Sequence, residues 1–167
     1  MIARTAALPV LLTAMAFAQA QTNPVVAAAQ RFLPEVDWKE QSVLTLDFTC
    51  RGRREYAILG ATKSAVVQVE GGAIGSRTPE AVVAVFSSGL SVQPQLFQNS
   101  ATNAELARLT IEDNDFTRKD FEQSIGEMPE GLQSSKTCKG LNLSDGERDS
   151  VHLYWNRKRG RIGAWSL

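Results

Sequence analysis

Two cysteines, Cys50 and Cys138, stand 88 positions apart behind an N-terminus built like an export leader. Arg4 supplies the positive start, Ala6 to Phe17 an apolar stretch, and Ala18-Gln19-Ala20 a small-x-small cleavage site. The apolar stretch, about 12 residues at 1.5 Å each, is too short for a bilayer core of about 30 Å. Residues 1–20 are therefore read as a signal peptide and 21–167 as a single globular domain, periplasmic or secreted, with no transmembrane span. No cysteine follows the cleavage site to carry a lipid anchor. In an oxidising compartment an even pair of cysteines without a C-x-x-C motif is expected to form a structural disulfide, and a reactive free thiol is the competing reading. Such a bridge forces the first third of the mature chain against its last quarter.

Composition narrows the function classes. Eighteen basic residues balance eighteen acidic ones, so no bulk positive field points to nucleic acid. A single histidine excludes any multi-histidine metal or relay site, and no cofactor motif is present. The glycines at Gly71, Gly72 and Gly75 lack the lysine and the strand-to-helix setting of a phosphate loop.

Local patterns predict an α+β, mostly β fold: an antiparallel sheet or small barrel with a short N-terminal helix, one acidic helix and a C-terminal hairpin. Asn23-Pro24 reads as a cap with proline at the first helical position, opening a helix that Pro34 stops. Period-two alternation of Leu44, Leu46 and Phe48 marks a strand. Tyr56–Gly60, Ala65–Val69 and Ala81–Phe86 are further β-rich runs, separated by turns at Gly60–Lys63 and Gly71-Gly72. The acids Glu112, Asp113, Asp115, Asp120, Glu122, Glu127 and Glu130 crowd one stretch, where Thr117 and Asp120 suit a capping box and Gly126 a helix stop. Ser150–Trp155, a turn at 156–160 and Arg161–Leu167 read as a closing hairpin, with Val151, Leu153 and Trp155 on one face.

Two Gly-centred loops precede apolar runs, Arg51-Gly52-Arg53-Arg54-Glu55 and Asp145-Gly146-Glu147-Arg148-Asp149. Read from Asp47, the first resembles the calcium loop of FG-GAP repeats, which implies cation binding. Asp47, Gly52 and Glu55 match that pattern, but Arg51 stands where the family places a ligating carboxylate. Calcium needs six to eight oxygens and a guanidinium supplies none. The expected arrangement is metal-free, with Arg51 bridging Asp47 and Glu55 as a loop ion pair. A broader likeness covers Asp47–Gly52, Ala57–Gly60, Ser135–Glu147, Asp149, His152 and Tyr154–Asn156. These stretches resemble small exported bacterial proteins of unassigned activity, which implies a shared cysteine framework and no reaction.

For catalysis, His152 is the one general base expected near neutral pH, with Asp149 as its orienting acid. A small periplasmic hydrolase built on this pair is the alternative function. No nucleophile elbow accompanies it. The favoured function is non-catalytic binding of an envelope polymer or protein partner through the basic hairpin residues Arg157, Lys158, Arg159 and Arg161, opposite the acidic stretch. One version is an inhibitor of a wall-degrading hydrolase, although Ser88-Gly89 lacks the tyrosine of known lysozyme-inhibitor loops.

Overall fold

A computed structural model describes residues 22–63, 65–68 and 74–166, with backbone alone for 65–68 and 74–77. The leader at 1–20 and the turn at Gly71-Gly72 lie outside the described residues.

Helix α1 (Pro24–Phe32) starts as its cap chemistry dictates: the Asn23 side chain accepts from the Val25 N–H at 2.9 Å. Its apolar residues Val25, Ala28 and Ala29 lie on one face and are buried. They pack on a five-stranded antiparallel sheet made of β1 (Val36–Trp38), β2 (Leu44–Leu46), β3 (Glu55–Thr62), β6 (Glu80–Phe86) and β7 (Gln95–Asn103). Between these, β4 (Ala65–Gln68) and β5 (Ile74–Arg77) form a separate hairpin. The second sheet has four antiparallel strands in the order β11 (Arg161–Trp165), β10 (Val151–Asn156), β9 (Ser135–Ser144), β8 (Arg108–Asn114). Helix α2 (Arg118–Ser124) connects β8 to β9.

The central strands β3 and β6 are buried on both faces of the first sheet, which explains their unbroken apolar runs. Ile58, Ala84 and Phe86 meet α1. Ala57, Leu59, Val83 and Val85 meet Leu109, Leu141, Leu143 and Leu153 of the second sheet, with Phe48 among them. Full burial of one such side chain is worth about 1.5–3 kcal/mol, so this shared layer dominates stability. The architecture is thus helix, sheet, sheet, with α2 on the outer side of the second sheet, where its Phe121 is buried against Trp165. Two open sheets face each other; the described residues form no closed barrel.

Several details differ from the sequence reading. Gly60 is inside β3, not in a turn, because a Cβ there would collide with the Val36 and Trp38 side chains of the neighbouring strand. The acidic stretch is divided among elements. Glu112 and Asp113 belong to β8, and α2 itself holds Asp120 and Glu122 against Arg118 and Lys119. The capping box forms: the Asp120 N–H donates to Thr117 Oγ1 while the Thr117 N–H donates to Asp120 Oδ2. The Thr117 hydroxyl, which also donates to Asp120 Oδ2 at 2.7 Å, and the Thr117 N–H together hold the Asp120 carboxyl below its ordinary pKa. Gly126, at φ 88°, ends the helix. Cys50 and Cys138 are disulfide-bonded with Cα atoms 4.9 Å apart, tying the loop after β2 to β9 and hence one sheet to the other.

Candidate binding site

The terminal hairpin β10–β11 has two different faces. Leu153 enters the core with Val151, Trp155 and Ile162 packed around it, while His152, Tyr154 and Asn156 point outward. Asn156 closes the hairpin turn, its Oδ1 accepting from the Arg159 N–H at 3.0 Å. The turn therefore thrusts Arg157, Lys158 and Arg159 into solvent, with exposed Arg161 just beyond.

A strap at Glu130-Gly131 crosses this end of the hairpin. The Glu130 carbonyl accepts from Tyr154 Oη at 2.9 Å and Asn156 Nδ2 at 2.7 Å. Gly131 rests so close to Asn156 that a Cβ would overlap its amide, and its φ of 73° suits glycine. Burial raises the Tyr154 phenol above its ordinary pKa, partly offset by Asn156 and Arg159, so it remains the donor. Thus anchored, the Glu130 carboxylate pairs with Arg159 at 2.6 Å and Lys158 at 3.7 Å. Arg157 and Arg161 have no carboxylate partner among the described residues. The acidic stretch thus meets the basic hairpin through one residue, leaving net positive charge at the tip. A cleft of about 490 Å³ beside it is bounded by Glu130, Tyr154, Arg159 and Arg161.

His152 does not meet Asp149. Its Nδ1 lies 2.7 Å from Glu112 Oε2, with both side chains largely covered. Its ring stacks on Trp165 at 3.9 Å, with Phe116 edge-on. Asp149, in the loop before β10, instead borders a groove of about 880 Å³ between β7 and β11. Glu112 arrives from β8 because Gly140 of β9, opposite it in register, carries no side chain to block the reach. An acid 40 positions from its partner leaves no local signal.

The Arg51 ion pair also requires correction. The Asp47 carboxylate accepts from the backbone N–H groups of Arg51 at 2.9 Å and Gly52 at 2.8 Å, forming a turn without the guanidinium. Glu55 is buried, bound by the Thr49 N–H at 2.8 Å and the Thr49 hydroxyl, and its cation is Arg53 at 3.4 Å. With Asp47 turned onto amides and Glu55 turned inward onto Thr49, the loop does not fit the cation that its FG-GAP likeness implies. Among the described residues no group of three or more His, Cys, Asp or Glu is placed to hold a metal.

In the second loop, Asp145 accepts from Asn103 N–H at 2.7 Å and Glu147 N–H at 3.0 Å, which lowers its carboxyl pKa. Arg148 donates to the Ala101 carbonyl beside it. At the opposite end of the same edge, Gln95 Nε2 donates to the Gly160 carbonyl at 3.0 Å while its Oε1 accepts from Ile162 N–H at 3.0 Å. Gln95 is marked by no motif, and Glu130 stands in the sequence only as the last acid of the acidic stretch.

Comparison with protein-family models, with curated proteins and with solved structures finds no match. No described helix is long and apolar enough to cross a membrane.

Proposed function

We propose that this chain is an exported, non-catalytic domain that binds a partner presenting anionic groups, an envelope polymer or a protein surface, through the basic hairpin end. The observation that carries it is the set of four cations at 157–161 beside the Glu130-Gly131 strap, answered among the described residues by the one carboxylate of Glu130. The leader and the disulfide support placement in an oxidising compartment. A hydrolase on His152 and Asp149 loses its orienting acid. His152 is paired to Glu112 beneath Trp165 and Phe116, a setting that suits packing between the sheet and α2.

Calorimetric titration with dextran sulfate, against neutral dextran, tests the reading. Binding is expected for the sulfated polymer alone, weakened by salt because exposed charges are screened beyond about 8 Å at 0.15 M. It should fall further in the R157A/R161A double variant. Equal affinity for both polymers, or full affinity in the double variant, overturns it.

A further inference from the structure

Glu130 brings two different groups to the hairpin end. Its carbonyl anchors the strap, while its carboxylate meets Arg159 Nη2 at 2.6 Å with one oxygen and Lys158 Nζ at 3.7 Å with the other. The cleft of about 490 Å³ is thus bordered by a carboxylate that two cations already hold. Arg161 lines the same cleft and has no carboxylate partner among the described residues. The neutral hydrogen-bonding groups around it are committed within the fold. Tyr154 Oη and Asn156 Nδ2 donate to the Glu130 carbonyl, and the Gln95 amide serves Gly160 and Ile162. What remains for a ligand is guanidinium, whose planar fork matches a carboxylate with two parallel hydrogen bonds. The rest of the wall is largely aliphatic. Leu96 and Ile162 border it, and Gly163, where a Cβ would strike the Tyr154 ring, leaves it unfilled.

We propose that this cleft takes a carboxylate-bearing sugar unit of a glycan, and that the Glu130 carboxylate is its internal competitor. This rests on the reading of the basic tip and names its ligand class. The cleft volume lies within the range of about 300–1,000 Å³ for sites that hold small ligands, whereas a protein interface spreads over about 800 Å² on each side. The C–H faces of the sugar ring meet Leu96 and Ile162. Its carboxylate takes Arg161 and, by displacing Glu130, Arg159. Displacement asks little of the fold, because the Arg159 and Glu130 side chains are about half exposed. Such a pair holds by no more than about fivefold in an equilibrium constant. The strap stays in place throughout, since its anchor is the carbonyl.

Calorimetry with trigalacturonate, its methyl ester and a capped triglutamate peptide tests this in 0.15 M salt. The acidic sugar should bind and its neutral ester should not. Glu130→Gln keeps the carbonyl anchor and frees both cations, so it should tighten trigalacturonate about threefold to fivefold. Asp113→Asn removes the same charge from β8, at the far edge of the sheet from β11. It should leave affinity within about 1.5-fold, because three strand spacings, about 14 Å, exceed the screening length of about 8 Å. In the parent chain the Nε–H signals of Arg159 and Arg161 should both move in NMR spectra as the sugar saturates, a readout that stands whether or not Glu130→Gln folds. Still signals at either arginine, or an unchanged affinity in Glu130→Gln, overturn the competitor. Equal tightening in both variants reduces the effect to net charge and overturns it too. Triglutamate binding as tightly as the sugar overturns the sugar assignment. Were no carboxylated probe to bind while dextran sulfate still did, the tip reading would survive without the cleft; failure of dextran sulfate as well removes both.

Discussion

Glu55 is the buried acid among the described residues, and its surroundings decide what its loop does. Its carboxylate satisfies both the N–H and the hydroxyl of Thr49 inside the core, while Arg53 covers it from the surface. Arg51, in contrast, contributes only its backbone N–H to Asp47. Glu55→Ala should therefore destabilise by about 1–3 kcal/mol, the penalty for leaving buried donors unpaired. Arg51→Ala should fall within about 0.5 kcal/mol of the parent, as exposed substitutions do. Urea melts of the two variants check this, and reversed magnitudes would restore Arg51 to the loop. The loop was half-legible in sequence. Asp47 and Gly52 signal a tight turn by their chemistry, but which arginine meets Glu55 depends on which side chain the turn aims inward.

Among the elements, those with local signals were readable. The Asn23-Pro24 cap, the Thr117–Asp120 box, the apolar runs of β3 and β6 and the terminal hairpin all carry their instructions within a few residues. β7 and β9 were not readable. β7 is an edge strand, so its sequence QLFQNSATN needs little apolar alternation, and SKTCKGLNLS of β9 hides Leu141 and Leu143 among polar neighbours. The pairing of His152 with Glu112 follows from the register of three strands, which no single segment encodes. The loop after β9 makes a pH prediction. Asp145, whose pKa is depressed by the N–H groups of Asn103 and Glu147, ties this loop to β7. Its contribution is present above the ordinary aspartate value of about 3.9 and is lost as pH falls through the lower folded value. Asp145→Asn should lower the melting temperature at pH 7, and the gap to the parent should shrink toward pH 3. A gap that stays constant would show that the charge contributes nothing.

At the scale of the whole molecule, two sheets share one core and are joined by Cys50–Cys138. A loop of 88 residues gives about 4–5 kcal/mol in the chain-entropy model. The C50S/C138S double variant should lose stability of that order in guanidinium melts; a loss under about 1 kcal/mol would mean the shared core alone holds the sheets together. That core fixes where β11 lies, beside β7. The most direct measurement is amide shift mapping by NMR on the isotopically labelled chain as dextran sulfate is added. Binding at the hairpin predicts the largest shifts at residues 157–161 and at Glu130-Gly131. Largest shifts around Glu112, Phe116 and His152 instead would contradict it and move the working surface to the histidine cluster.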